Sequence, residues 1–164
     1  MKIVFEGDHI YVRERDHWQY VERKKAREAA VVVAETRNGE LILTEQFRPP
    51  VNARVIDFPA GLIGDEDPDT DGPETARKEL EEETGYTCES VELLVRGPSS
   101  PGITSEIVSV YRAHGVQKVG RGGGIGGEDI TVHVVPKGDL RSFLREKAEA
   151  GVLIDLKVGL YLAE

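Results

Sequence analysis

ETARKELEEETGY, residues Glu74–Tyr86, is the stretch that decides how the rest of the chain is read. Pro73 suits a first helical position, Gly72 or Asp71 can cap it, and Gly85 ends the run. At about 100° per residue, Ala76, Leu80 and Thr84 form one stripe for burial, and Glu79, Glu82 and Glu83 share the flank beside it. Glu83 lies next to the buried stripe. Like charges three and four residues apart repel, and partial burial raises the cost of keeping each ionised. A hard divalent cation, Mg²⁺ or Mn²⁺, resolves that conflict, because such ions bind carboxylate oxygens together with water and substrate phosphate. A solvated acidic helix face is the competing reading, and these residues alone leave both open.

The flanks of this helix read mostly as strands. Residues 2–5 and 10–13, Trp18–Arg23 and Ala29–Thr36 are apolar or alternating runs, and the Asn38-Gly39 pair turns the last of them into Leu41–Phe47 as a hairpin. Pro49-Pro50 breaks the pattern, Arg54–Phe58 resumes it, and Pro59, Gly61 and Gly64 open an acidic loop reaching Gly72. Beyond the helix, Val91–Arg96, Ile103–Tyr111 and Ile130–Val135 are strand-like. Asp139 can cap a helix through Glu149, Gly151 ends it, and Leu153–Leu162 reads as a final helix. GRGGGIGG, Gly120–Gly127, reads as a mobile loop. No repeat or linker interrupts the pattern, so one domain over residues 1–164 and a mixed-sheet α+β sandwich are expected.

The 164 residues hold 21 Lys and Arg against 30 Asp and Glu, a formal net charge of −9. With a pI near 5.0, a field that draws nucleic acid or an anionic membrane is disfavoured. The single cysteine, Cys88, rules out an intramolecular disulfide framework and an all-cysteine zinc site; it reads as a small buried hydrophobe. His9, His17, His114 and His133 show no ligand spacing. MKIVFEGDHI has no long apolar leader, and no run approaches about 18 apolar residues. A cytosolic location is expected.

Gly61 followed by KELEEETGY resembles the signature box of the Nudix hydrolases, R-E-apolar-x-E-E-x-G-apolar. Glu79, Leu80, Glu82, Glu83, Gly85 and Tyr86 match position for position. Lys78 stands where the family has Arg, beside Arg77, and the stretch from Gly61 to Lys78 is longer than in the family. With that insertion the family's first glutamate falls on Thr70 counted from the helix side, or is replaced by Glu66 from the loop side. EQFRPPV (Glu45–Val51), DFPAGL (Asp57–Leu62), SSPGITSE (Ser99–Glu106), GGEDI (Gly126–Ile130) and the closing DLKVGLYL are similar to the ADP-ribose pyrophosphatase branch. In that branch a proline follows the box, as Pro101 does here, fifteen residues after Tyr86.

The resemblance implies an α/β/α sandwich with a mixed central sheet and an N-terminal strand extension, residues 1–25, that pairs two subunits. It implies Mg²⁺-dependent water attack on a phosphorus of ADP-ribose or a related nucleoside diphosphate sugar, giving AMP and ribose 5-phosphate from ADP-ribose. Glu79, Glu83 and the backbone carbonyl of Ala60 are the implied metal ligands. Glu82 is a further ligand or water-positioning group, and it competes with Glu128, on a late loop, for the part of general base. Asp129 is a weaker neighbour. The glycines before Glu128 would let that loop close over substrate. Arg48, and secondarily Arg27, are placed to grip phosphate, and Glu106 matches a family position near the metals. Trp18 either stacks on adenine, in its own or a neighbouring subunit, or belongs to a sheet or dimer core. The rivals are hydrolysis of another nucleotide sugar or a dinucleotide, and a Nudix-like module that holds a nucleotide without cleaving it.

Overall fold

A computed structural model of the chain describes residues 1–26, 28–65 and 67–161. In chain order the elements are β1 (Lys2–Glu6), β2 (Ile10–Arg15), β3 (Trp18–Arg23), β4 (Glu28–Glu35), β5 (Glu40–Arg48), β6 (Ala53–Asp57) and β7 (Ala60–Leu62). Helix α1 (Gly72–Thr84) follows, then β8 (Tyr86–Thr87), β9 (Ser90–Pro98), β10 (Ile107–His114), β11 (Gln117–Lys118) and β12 (Ile130–Pro136). Helix α2 (Leu140–Glu149), β13 (Leu153–Ile154) and α3 (Leu156–Leu160) complete the fold.

β1, β2 and β3 form an antiparallel meander of their own. It joins the rest through β3, where Val21 N donates to Ile103 O (2.8 Å) and Ser105 N donates to Val21 O (3.0 Å). The large sheet runs β13-β6-β5-β4-β10-β9, with β12 also on β5 and β7 also on β4. β10 lies parallel to β4 and β13 parallel to β6, and the other pairs are antiparallel. The sheet is therefore mixed. β4 and β5 keep hairpin register for two pairs only, Ala34↔Ile42 and Glu35↔Leu41, before each turns to other partners.

Side-chain alternation along β4 assigns the two faces. Ala30, Val32 and Ala34 pack with Ala76 and Leu80 of α1 and with Cys88, whereas Val31 and Val33 pack with Leu140, Leu144 and Val158 of α2 and α3. Burial on both faces is why the strand is an unbroken apolar run. Helices cover both sides of the sheet, which makes the expected α/β/α sandwich. Among the described residues no helix is long and apolar enough to cross a membrane.

Three local expectations change. Leu153–Leu162 is not one helix: Leu153 and Ile154 first pair with Val55 and Ile56, and α3 starts only after Asp155, whose side chain accepts from Lys157 N (2.9 Å); Leu162 lies outside the described residues. The strand expected from Ile103 begins at Ile107, because Ile103 and Ser105 serve β3 instead. The third change concerns the glycines. A helix ends with its last four carbonyls unsatisfied, and those of α1 all find donors. Glu81 O accepts from Gly85 N (2.8 Å), Glu82 O from Gly124 N (3.1 Å), Glu83 O from Gly123 N (2.8 Å) and Thr84 O from Lys118 Nζ (2.8 Å). The glycine-rich stretch read as mobile thus wraps the end of α1. A Cβ on Gly122, at φ +69°, would overlap the Thr84 carbonyl group, whereas one on Gly126, at φ +64°, would meet nothing. Gly122→Ala is expected to lose about 3 kcal/mol and Gly126→Ala about 1 kcal/mol in denaturant melts; equal losses would restore the mobile-loop reading.

Candidate active site

The acidic flank of α1 faces a cleft of about 960 Å³. Ala60, Glu79, Glu82, Glu83, Arg48, Glu106 and Glu128 all line it, although they come from five separate parts of the fold. Asp71 sets the start of α1 by accepting from Glu74 N (2.9 Å), and Gly85, at φ +71°, ends it. Those two caps fix the rotation that turns the glutamates toward the cleft.

Glu83 is buried, and its carboxylate Oε2 accepts from Ala60 N (3.2 Å). Burial pushes its pKa up to about 8, with Glu79 and Glu128 adding to the rise; the Ala60 N–H and Arg48 pull the other way. Glu79 lies so close to Gly61 that a Cβ there would overlap its carboxylate, so the glycine keeps that space open. Lys78 Nζ stands 4.0 Å from Glu82 Oε2, an i,i+4 pair. Among the described residues no three His, Cys, Asp or Glu side chains are gathered as a ready ligand cluster. The donor chemistry still fits a hard divalent ion: the groups are oxygens, and Glu83 holds a buried site where a nearby cation would favour the ionised form.

Two cleft residues escape sequence reading. Arg23, at the end of β3, pairs with Glu106 (Nε–Oε1 2.8 Å), and Ser99 Oγ donates to the other carboxylate oxygen (3.1 Å). The N-terminal sheet therefore delivers a guanidinium to the cleft, and no local pattern marks that long-range crossing. Asp57 is the other. Burial raises its pKa to about 6, against the opposing charge of Lys157 Nζ at 3.0 Å. Its Oδ1 accepts from Phe58 N (2.8 Å), which secures the turn leading to Ala60.

Trp18 stands apart. It is 65% exposed and lines a separate depression with Tyr20, Arg15 and Pro101. Thr70 lines the main cleft, whereas Arg27 and Glu66 lie outside the described residues.

The NUDIX domain model matches residues 24–153, most of the chain. The chain belongs to the Nudix family. A methanol dehydrogenase activator of Bacillus methanolicus is 42% identical over 91 residues, 55% of this chain and 47% of the relative. The ADP-ribose pyrophosphatase of Bacillus subtilis is 41% identical over 86 residues, 52% of this chain and 44% of that protein. A GDP-mannose pyrophosphatase of Cronobacter sakazakii is 30% identical over 142 residues, covering 82% and 70% of the two chains. The matched stretch spans about half the length of the first two relatives. A crystal structure of an ADP compounds hydrolase superposes with a TM-score of 0.68 at 20% identity, covering 88% of this chain and 80% of the other. That likeness carries the Nudix fold, as the signature box led one to expect.

Proposed function

We propose that this Nudix protein hydrolyses the diphosphate bond of ADP-ribose or a related nucleoside diphosphate sugar in a divalent-cation-dependent reaction, releasing AMP and ribose 5-phosphate from ADP-ribose. The observation that carries the reading is the cleft itself: the Glu79, Glu82 and Glu83 carboxylates, Glu83 buried, share one open volume with Arg48 and Arg23. Glu79, Glu83 and the Ala60 carbonyl would hold Mg²⁺, or Mn²⁺. When bound, such an ion neutralises diphosphate charge and lowers the pKa of bound water. Arg48 ends β5 and precedes Pro49-Pro50, a stiff place from which a guanidinium can grip phosphate. Water adds to one phosphorus as the bridging P–O bond breaks, the departing phosphate keeps the bridging oxygen, and Glu128 takes the proton from the attacking water. Glu82 is the rival base.

A second subunit and a cytoplasmic location belong to the same proposal. Exposed apolar side chains on β1 (Ile3 and Phe5) and on the edge strand β9 (Leu93 and Val95) support a homodimer; the location rests on the sequence alone. Trp18 and Arg27 are proposed as substrate contacts on the strength of the family resemblance.

The relative acting on GDP-mannose, which aligns over 82% of this chain, favours a second reading in which another nucleotide sugar is the substrate. A panel of ADP-ribose, GDP-mannose and a dinucleotide with Mg²⁺, with products resolved by phosphorus NMR, separates the two. Fastest release of AMP from ADP-ribose is expected. Faster turnover of another panel member would replace the substrate, and binding without cleavage would make the protein a nucleotide-binding module. Arg48→Ala is expected to raise KM for ADP-ribose about tenfold with a smaller change in kcat, as befits loss of a charge-assisted contact made already in the ground state. An unchanged KM would remove Arg48 from the site.

A further inference from the structure

Resting on the reading of Glu128 as general base, we propose that Arg54 is a positioning residue that fixes Glu128 through Asp129, with the buried carboxylate of Glu45 holding Arg54 in place. Arg54 sits on β6 opposite Phe47 of β5, and its guanidinium reaches over β5 to the start of β12. Nη1 donates to Asp129 Oδ2 (3.0 Å) and Nη2 to Thr131 Oγ1 (3.3 Å). Nε donates to Glu45 Oε1 (2.7 Å), and Nη2 also donates to Glu45 O (3.0 Å). The other Glu45 oxygen is engaged by His133 Nε2 and Lys147 Nζ, each at 2.9 Å. With its side chain 8% exposed, Glu45 is a fixed anion. Burial alone would raise its pKa, but Lys147, His133 and Arg54 outweigh that and hold it at about 2.

This anchoring changes what the outer pair can do. An exposed ion pair is ordinarily weak because both side chains must be ordered to form it. Here Glu45 has already ordered the guanidinium, and only Asp129, 84% exposed, loses freedom. The segment carrying Glu128 is thus tied at both ends. Upstream, Gly123 and Gly124 are bonded to the carbonyls of Glu83 and Glu82 on the glutamate helix; downstream, Asp129 is bonded to Arg54. Between the ties lie only Ile125–Glu128, with Gly126 and Gly127 at positive φ, and the Glu128 carboxylate accepts from Ile125 N (3.2 Å). Neither Arg54 nor Asp129 is among the described lining of the cleft, so their influence passes through the chain to Glu128.

Asp129→Asn tests the tether while leaving the Glu45–Arg54 contact intact. With Mg²⁺ and ADP-ribose, kcat is expected to fall about tenfold, since a small misplacement of a reacting group carries that cost, while KM and Tm stay put. In a Glu128→Gln background the same substitution is expected to have no further effect. Hydrogen exchange in the peptide covering residues 122–130 is expected to quicken in Asp129→Asn, with α1 unchanged, whatever the substrate proves to be. Unchanged exchange there, or a slow Glu128→Gln beside a fully active Asp129→Asn, would overturn the proposal alone. Additive losses in the double variant would overturn it too. Full activity of Glu128→Gln would overturn the base assignment and the proposal with it.

Discussion

Glu83→Gln is expected to abolish metal-dependent turnover, lowering kcat about 10³-fold or more, because loss of a metal's charge stabilisation removes several kcal/mol from the transition state. The same variant is expected to be the more stable protein in EDTA, increasingly so toward alkaline pH. Burial, with help from Glu79 and Glu128, raises the Glu83 pKa from 4.5 to about 8. Between those two values the native state holds a proton that the unfolded chain has released, so stability falls as pH rises through this window. Above pH 8 both states are ionised and the native state bears the full desolvation cost. Glutamine bears none of it. The gain in Tm over wild type should therefore be small at pH 5 and roughly 5 °C at pH 9. Thermal melts in EDTA read this directly. A gain independent of pH would contradict the burial argument, and normal turnover would remove Glu83 from the ligand set.

Glu128→Gln is expected to lower kcat about 10²-fold, the usual yield of a positioned general base, while KM and the Mg²⁺ requirement stay near wild type. The amide keeps the shape and loses the proton acceptor. An unchanged rate would return the base to Glu82, which lines the same cleft on α1. The contrast between the two variants is the useful part, since one removes a ligand and the other a proton acceptor.

The helix was legible from its residues because local rules wrote it. Asp71 caps it, Gly85 stops it, and the stripe of Ala76, Leu80 and Thr84 points inward, leaving Glu79, Glu82 and Glu83 on one flank. β4 was legible for a similar reason, its Val31–Val33 run requiring burial on both faces. Contacts between distant segments were not. Arg23 reaches Glu106, and Arg54 reaches Asp129, across 83 and 75 residues of chain. No periodicity encodes such pairs, because the sheet order brings them together. Leu153 and Ile154 were misread because two apolar residues beside a helical pattern carry no signal for a short parallel strand until β6 is there to pair with them. The glycines of residues 120–127 have the composition of a flexible connection. Their purpose is visible only against the end of α1, where Gly122 leaves no space for a side chain.

The most direct test of the central claim is AMP release from ADP-ribose by the purified protein, measured with Mg²⁺, after EDTA, and after Mg²⁺ is restored. The account predicts turnover that vanishes with EDTA and returns with the metal. Turnover undiminished in EDTA would contradict it, because the glutamate flank of α1 would then have no part in the chemistry.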